Sequence, residues 1–197
     1  MKIGIIAEGD TEYACLPTLV AKRNHVIVGT YNLGGVGDDF PWDGLMRKKV
    51  FPLIRAFAQK QTSGRPDKVI IVIDREKRSD CCPALATTAT SLLSRCLAAE
   101  NVNMNFTVVV PNPIFECWLL ADVQALDSSP LFKARLSETI GSTTDGCDVL
   151  SMLKPCLKRG AKWDKVKYGK ALAQRLDLQS NKVLSASRSL RKFVKEL

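Results

Sequence analysis

Four short runs of mostly apolar residues are spaced along the first 110 positions, and longer segments with a helical rhythm separate them. Runs of this length and composition predict strands that are buried on both faces, as in a parallel sheet. The four predicted strands are Lys2–Ala7, Val26–Tyr31, Lys68–Ile73 and Asn105–Val110.

Between these runs, apolar residues recur every three or four positions, which predicts the helices Thr11–Lys22, Leu45–Gln61 and Pro83–Glu100. Strands that alternate with helices indicate a parallel sheet covered by helices on both faces. After the fourth strand, Asn112 is a suitable helix cap and Pro113 suits the first helical position, so a helix to about Leu126 is expected. The predicted fold is α/β, with a central four-stranded, mostly parallel sheet flanked by helices.

The remainder of the chain has a different pattern. Glycine- and aspartate-rich positions 34–44 predict a loop beside the sheet, Ser128–Pro130 is expected to break the preceding helix, and positions 131–165 suggest short helices with polar loops. Tyr168–Leu176 and Ser185–Leu197 predict basic, amphipathic helices. We therefore expect an α/β domain over residues 1–126 and a basic helical extension over residues 127–197 that packs on it.

Charge is concentrated at the carboxyl end. Residues 151–197 contain 13 Lys or Arg and 3 Asp or Glu, a net charge of +10, whereas residues 1–150 contain 16 and 17, a net charge of −1. A basic segment of this kind favours a polyanion such as a nucleic-acid backbone, although a solvated basic surface gives the same pattern. The candidate phosphate contacts are Lys162, Lys165, Lys167, Arg188, Arg191 and Lys192.

Composition excludes several other classes. No apolar run approaches the roughly 20 residues that span a bilayer, and there is no secretory signal pattern, so a cytoplasmic location without membrane contact is expected. The seven cysteines form no Cys-x-x-Cys pair and His25 is the only histidine, which argues against zinc and favours buried, reduced thiols. A catalytic cysteine at Cys81 or Cys82 stays open but lacks a histidine nearby in sequence.

Acidic residues follow three of the predicted strands. Glu8 comes after the first, Asp74 and Glu76 after the third, and Glu116 after the fourth. Carboxyl ends of parallel strands meet at one edge of a sheet, and carboxylate oxygens suit Mg²⁺ or Mn²⁺. Two of these acids also have a structural interpretation, Glu8 as a capping or surface residue and Glu116 as a carboxylate at a helix amino end. Asp80, four residues after Glu76, could reach the same space or cap the next helix.

An acid followed by glycine after the first strand, with an acid-x-acid pair after the third, resembles the TOPRIM domains of topoisomerases, primases and nucleases of overcoming-lysogenization-defect type. The resemblance covers about residues 1–125. The motif Asn112-Pro113-x-Phe115-Glu116-x-Trp118-Leu119-Leu120 is similar to that of small TOPRIM-like proteins from bacterial and phage-defence gene neighbourhoods. Tyr168-Gly169-Lys170 and Ser187-x-x-Leu190-x-x-Phe193 resemble one small family of unassigned function.

This resemblance implies a Rossmann-like TOPRIM fold and a site that binds Mg²⁺ or Mn²⁺. It places Glu8, Asp74 and Glu76 at the metal, with Asp80 and Glu116 as helpers and Lys170 as a catalytic cation. The usual second acid of the pair is Asp, so Glu76 departs from the family by one methylene. Arg75, Lys77 and Arg78 are alternatives to Lys170.

The function expected from these features is metal-dependent hydrolysis of phosphodiester bonds in DNA or RNA, in a prokaryotic or phage-defence setting. The alternative is a non-catalytic subunit of the same fold that binds nucleic acid or a partner, which the presence of Glu76 favours slightly. A receiver-like phosphoacceptor at Asp74 is a third hypothesis, although it requires an acidic pair after the first strand. The resemblance to defence proteins also implies a partner, either an ATPase or another defence-system subunit, and this chain carries no Walker A motif of its own.

Overall fold

The computed structural model describes residues 1–35, 40–128, 132, 141–159 and 162–197. Strands β1 (Lys2–Ala7), β2 (Val26–Asn32), β3 (Lys68–Val72) and β4 (Phe106–Val109) form a four-stranded parallel sheet in the order β2-β1-β3-β4. The prediction of an α/β fold with a four-stranded parallel sheet flanked by helices is confirmed. Each predicted strand lies within two residues of its observed bounds.

Helices connect consecutive strands. Helix α1 (Asp10–Ala21) links β1 to β2, and α4 (Cys82–Ala99) links β3 to β4. The segment between β2 and β3 begins at Trp42 and continues to Ala58, as α2 (Trp42–Leu45), a π-helical turn (Met46–Val50) and α3 (Phe51–Ala58). The predicted helix from Leu45 therefore begins three residues earlier, inside the predicted loop. Positions 36–39 of that loop lie outside the described residues.

The prediction of one continuous helix after β4 is wrong. Asn112 and Pro113 are joined by a cis peptide bond and precede the helix, which begins only at Glu116. The segment contains two short helices, α5 (Glu116–Leu119) and α6 (Val123–Asp127). The second helix has its own cap, because the Asp122 side chain accepts a hydrogen bond from the Ala125 N–H at 3.0 Å.

The carboxyl-terminal part is helical. It contains α7 (Val149–Leu153) followed by one 3₁₀ turn, then α8 (Lys165–Arg175), α9 (Asn181–Ala186) and α10 (Arg188–Glu196). The single helix predicted over Ser185–Leu197 is two helices, since Ser187 caps the second by accepting from the Leu190 N–H at 3.2 Å. Of the predicted break at Ser128–Pro130 and the short helices over 131–165, positions 129–131, 133–140 and 160–161 lie outside the described residues.

Two hydrophobic clusters cover the two faces of the sheet. Ile3 and Ile5 of β1 belong to one cluster and Ile6 to the other, as the alternation of side chains along a strand requires. The first cluster also contains Leu172 of α8 and Phe193 of α10. The carboxyl-terminal helices therefore share a core with the sheet. None of the helices in the described part of the chain combines the length and apolar content needed to cross a membrane.

Candidate functional site

A polar cavity of about 300 Å³ opens at the carboxyl end of the sheet, between β1, β3 and the start of α8. It is the meeting point that the parallel topology predicts for residues that follow the strands. Six of the side chains that line it are acidic and one is basic: Glu8, Asp10, Glu12, Asp74, Glu76, Glu116 and Lys165.

Glu8 and Asp74 lie at the ends of neighbouring strands and are joined directly. The Glu8 N–H donates to the Val72 carbonyl at 3.1 Å, which extends the pairing of β1 and β3 by one residue. The Asp74 N–H then donates to Glu8 Oε2 at 2.7 Å. Both side chains are buried. The ends of the two strands therefore hold the Glu8 carboxylate against the backbone of Asp74.

Glu76 reaches the same cavity by a route that the sequence did not predict. We expected Asp74 and Glu76 to share a side because the strand would continue, but β3 ends at Val72. Glu76 instead has a left-handed backbone with φ of +51°, and its N–H donates to the Pro113 carbonyl at 2.8 Å. A non-glycine residue in this region is held there by its surroundings, and such residues are frequent at functional sites.

Arg78 stabilises the acidic loop, which contains Asp74 and Glu76, through contacts with its backbone. Its guanidinium donates to the carbonyl of Asp74 at 3.0 Å and to that of Arg75 at 3.3 Å, and it lies over the Trp42 ring at 5.0 Å from the centroid. Its Nη1 atom is also 3.8 Å from Glu76 Oε2. Sequence reasoning treated Arg78 as an alternative catalytic cation, whereas the structure shows a buried side chain that braces the loop.

Glu116 enters the cavity from the first turn of α5 and is 2 % exposed. The Thr11 hydroxyl donates to its Oε1 atom at 3.4 Å, and Lys165 Nζ lies 3.4 Å from the same oxygen. The lysine side chain is about half exposed, with 52 % of its surface accessible, so it lies at the rim of the cavity. Lys165 is thus a cation at the mouth of the cavity and contacts one carboxylate of the cluster.

Glu12 belongs to the cluster and was not among the predicted site residues, because an acid in the first turn of a helix is ordinarily explained by stabilisation of the helix amino end. It is buried, and its Oε2 atom accepts from the Gly9 N–H at 3.2 Å. Burial, followed by repulsion from Glu116 and Glu8, raises its pKa from 4.5 to about 7. The sequence signal that could have identified it is the four-residue spacing from Glu8 across a strand-to-helix turn.

The pKa of Asp74 is raised, like that of Glu12. Burial is the main reason that its pKa lies well above the usual value, and repulsion from Glu12, Glu8, Glu116 and Glu76 adds to the effect. Its Oδ1 atom is buried without a hydrogen-bond partner among the described residues. Burial and mutual repulsion in the cavity therefore favour the protonated forms of Asp74 and Glu12.

The donor set suits a hard divalent cation, since carboxylate oxygens are the ligands that Mg²⁺ and Mn²⁺ prefer. The arrangement is not preassembled, however. Within the described ranges, no three His, Cys, Asp or Glu side chains are placed so that they could hold a metal ion together. The cluster has the chemistry and the charge for such an ion, but its oxygens do not yet point at one centre.

Two other predicted site residues lie elsewhere. Asp80 is exposed and does not line the acidic cavity. Lys170 is exposed and lines a separate cavity of about 680 Å³ with Asp10 and Tyr13. The reason is helical geometry: Lys170 is five residues beyond Lys165 on α8, so the helix turns it away from the position that Lys165 occupies at the acidic rim.

The predicted phosphate contacts divide into two groups. Lys162 and Lys167 are exposed and flank Lys165 in the sequence near the start of α8, and of these three lysines Lys165 lines the acidic cavity. Arg188 and Lys192 of α10 line a different cavity, beside β4, and Arg191 is exposed on the same helix.

All seven cysteines are free thiols, but they are not uniformly buried as we expected. Cys15, Cys117 and Cys156 are buried, whereas Cys81 is exposed. None of the seven lines the acidic cavity.

A model of one protein family, described as a domain of unknown function (DUF4276), matches residues 7–197. No curated protein matches the sequence significantly. Among solved structures, the chain is similar to the C-terminal region of the Burkholderia pseudomallei OLD protein, with 16% identity, 98% of each chain covered and a TM-score of 0.46. It is also similar to the C-terminal region of the Xanthomonas campestris pv. campestris OLD protein, with 13% identity, 98% of this chain and 94% of that chain covered, and a TM-score of 0.44.

Proposed function

This chain belongs to the DUF4276 family, and we propose that it is a metal-dependent nuclease that hydrolyses phosphodiester bonds in DNA or RNA. The observation that carries the proposal is the acidic cavity, where five carboxyl groups besides the peripheral Asp10 surround about 300 Å³. Four of these acids, Glu8, Glu12, Asp74 and Glu116, are buried. Burying that many acids is unfavourable unless a cation or protons offset the charge. The TOPRIM resemblance implies the same chemistry for Glu8, Asp74 and Glu76.

We propose Mg²⁺ or Mn²⁺ as the offsetting ion, held by Glu8, Asp74 and Glu76, with Glu116 and Glu12 at its margin. When bound, such an ion polarises a phosphoryl oxygen and lowers the pKa of water. Support comes from the buried Asp74 Oδ1 atom, which accepts no hydrogen bond in the described part of the chain. Since no three ligands converge in the present arrangement of the described residues, we expect binding to include rotation of carboxylate side chains.

The protein's own groups have distinct roles in this proposal. Glu12 is the candidate general acid or base in this proposal, because it lines the cavity beside the proposed ligands and its pKa in the metal-free cavity is about 7. Lys165 at the rim can neutralise a phosphate, and its contact with Glu116 positions it there. Arg78 holds the backbone of the acidic loop through the Asp74 carbonyl.

A nucleic-acid substrate is supported by the net charge of +10 in residues 151–197 and by its placement. Lys165 at the start of α8 lines the acidic cavity, and Lys162 and Lys167 lie within three residues of it in the sequence. Cations beside a carboxylate cluster can bind backbone phosphates and direct the scissile bond to the acids, without reading sequence. Asp80 and Lys170, which the resemblance also implied, have no part in this proposal because they do not line the acidic cavity.

The decisive experiment incubates the protein with labelled single-stranded DNA, double-stranded DNA and structured RNA, each in Mn²⁺, Mg²⁺ or EDTA. We expect cleavage of at least one substrate with metal, none in EDTA, and loss of cleavage in Glu8→Gln. Glu100→Gln is the matched control, because Glu100 is an exposed acid that pairs with Arg55 on α3, outside the cavity. Metal-independent cleavage, or an equal loss in both variants, would contradict the proposal.

A second candidate is a non-catalytic subunit of the same fold that binds nucleic acid. It is favoured by the ion pairs that already engage Glu116 with Lys165 and Glu76 with Arg78, and by the absence of a preassembled metal site among the described residues. In the same experiment, this candidate predicts that all substrates stay intact while binding falls steeply as salt increases. A cytoplasmic location, a defence setting and an ATPase or other subunit as partner remain proposals that rest on the sequence and the TOPRIM resemblance.

A further inference from the structure

The largest cavity among those described, about 830 Å³, lies along the outer edge of the sheet and away from the acidic cluster. All four residues of β4 line it, as does Val110. In the described part of the chain, β4 pairs with β3 on one side and with no strand on the other. The cavity, which we call the edge groove, is therefore the space where a fifth strand would lie.

The backbone of β4 offers hydrogen-bonding groups to the edge groove. In a strand of a parallel sheet, the N–H and C=O groups of one residue point to the same side, and those of the next residue point to the opposite side. The carbonyls of Asn105 and Val109 accept from β3, at 2.8 and 3.2 Å, so these residues face inward. The backbone groups of Phe106 and Val108 consequently face the groove, where an added strand could pair with them.

Two helices form the walls of the edge groove. Helix α4 contributes Cys82, Ala86 and Thr90, which are spaced by four residues and lie on one helical face. Helix α10 contributes Arg188 and Lys192, again four residues apart. The two helices contact opposite hydrophobic clusters, α4 through Leu85 and α10 through Phe193, so they extend past β4 on its two sides. The groove thus has the sides of a slot for one extended chain.

Buried polar atoms without partners lie at one end of the edge groove. Arg75 Nε and Asn112 Oδ1 both line it, and neither has a hydrogen-bond partner within the described residues. The exposed Arg188 adds a second positive charge, whereas the acid of the lining, Asp145, accepts hydrogen bonds from the Ser187 hydroxyl and the Arg188 N–H. An anionic group entering this end would meet two arginines.

We propose that the edge groove is a docking site for an extended segment of a partner protein, which adds a fifth strand to the sheet beside β4. The segment has apolar or β-branched side chains, which face the walls formed by α4 and α10, and an Asp, Glu or terminal carboxylate that contacts Arg75 and Arg188. Main-chain pairing at a free sheet edge supplies affinity, and side-chain pockets supply selectivity. Four residues of β4 span about 13 Å, enough to pair with a segment of similar length.

The lining favours a peptide over a nucleic-acid strand. Residues of β4, with Pro83 and Ala86, make the floor and one wall largely apolar, and Phe106 is the aromatic ring in the lining. Single-stranded nucleic acid is bound on several exposed aromatic rings beside a continuous row of cations. Lys192, the third cation of the groove, already pairs with Glu196.

In the test, a displayed library of random octapeptides is selected for binding to the immobilised whole protein. The enriched peptides are then synthesised, and their binding is measured by fluorescence anisotropy. We expect enrichment of β-branched residues with an Asp or Glu, and protection of the Phe106 and Val108 amides from hydrogen exchange when peptide binds. Val108→Pro removes an outward donor but no bond to β3, so it should weaken binding by at least about tenfold.

Thr30→Pro is the matched control on the opposite edge strand, β2. The Val28 carbonyl accepts from Lys60 Nζ and so faces away from β1, and Thr30, two residues further on, faces the same side. This variant should bind the selected peptides normally. N-methylation of alternate peptide amides provides a test that requires no protein variant, and it should also abolish binding. Thermal unfolding confirms that both proline variants are folded.

Several outcomes would overturn the proposal. They are failure to enrich any sequence, equal binding by Val108→Pro and wild type, and protection of the Phe106 and Val108 amides in the free monomer. A dimer in sedimentation that Val108→Pro dissociates would identify a second copy as the occupant instead. Protection of the same amides by a single-stranded oligonucleotide would identify a nucleic-acid strand. None of these results depends on nuclease activity, so the docking site and the proposed function can fail separately.

Discussion

The acidic cavity and the edge groove belong to the same sheet, but they have opposite character. The acidic cavity encloses about 300 Å³ and is lined by six acids and one lysine. The edge groove encloses about 830 Å³ and has a mostly apolar lining surface, to which three cations and one acid also contribute. One lies at the carboxyl ends of the strands, and the other lies alongside the last strand.

In our proposals the smaller cavity is the reactive site, so size is not what identifies it. The smaller cavity contains the carboxyl groups with raised pKa values, Glu12 and Asp74, and carboxyl groups perturbed by burial and by like charges are typical of functional sites. The larger one offers backbone hydrogen bonds and apolar surface, which are the means of recognising another chain. Position in the fold, at a strand end or along a strand edge, separates the two roles.

The largest expected effect is at Asp74. Asp74→Asn should reduce metal-dependent cleavage by at least about 100-fold, because it removes a charged oxygen from the proposed metal site. The same change should leave the metal-free protein at least as stable as wild type at pH 8, since it removes a buried carboxyl that four other acids repel. Cleavage assays and thermal unfolding in EDTA measure the two effects.

Asp80→Asn is the control for that experiment, because Asp80 is an exposed acid outside the acidic cavity. We expect its activity to stay within about twofold of wild type, as is usual for surface changes. An equal loss of cleavage in both variants would show that activity does not depend specifically on the acids of the cavity.

The second prediction concerns pH. The folded-state pKa of Glu12 is about 7 against 4.5 in the unfolded chain, so the folded protein binds more protons between these values. Stability of the metal-free protein should therefore fall as pH rises from 4.5 to 7, by up to about 3 kcal/mol, with Asp74 acting in the same direction. Urea unfolding in EDTA at several pH values measures this, and Glu12→Gln should flatten the slope. A free energy of unfolding that rises with pH over this range would show that folding does not raise the pKa values of these acids.

The third prediction tests the close packing of α8 against α1, which positions the start of α8 at the acidic cavity. A Cβ on Gly169 would lie 3.2 Å from both Cys15 Sγ and Thr11 Cγ2 of α1. Gly169→Val should therefore destabilise the protein by about 2 kcal/mol through overpacking, and it should lower nuclease activity more than peptide binding in the edge groove. Gly141→Val is the control, because a Cβ added at Gly141 would meet no described atom within 4 Å. Urea unfolding compares the two variants, and equal stabilities would contradict close helix packing at Gly169.

The smallest expected effect is at the rim. Lys165→Ala should weaken nucleic-acid binding several-fold and reduce the slope of log affinity against log salt by about 1, as expected for one phosphate contact. Lys182→Ala, an exposed lysine on α9, should change neither quantity. Fluorescence anisotropy over a salt series distinguishes them, and identical slopes for the two variants would exclude Lys165 from the interface.

Sequence patterns predicted the strands closely because buried parallel strands are continuous apolar runs, and β1 was predicted at Lys2–Ala7, its observed bounds. They also predicted that Glu8, Asp74, Glu76 and Glu116 would meet, and all four line one cavity. They failed for the helix after β4, where Asp122 caps a separate helix. Local propensity does not reveal such breaks when both halves are apolar.

The order of strands and helices, the charge of the tail and the acids after the strands follow from the sequence alone, because they depend on local periodicity and on which residues come next in the chain. Tertiary structure decided which of those groups meet. Only folding brought Glu12 into the cluster and placed Lys165 instead of Lys170 at its rim. Only folding directed the Arg78 guanidinium to the carbonyl of Asp74. Only folding left β4 at a sheet edge between α4 and α10. These relations join residues distant in sequence, and burial and mutual repulsion exist only after those residues come together.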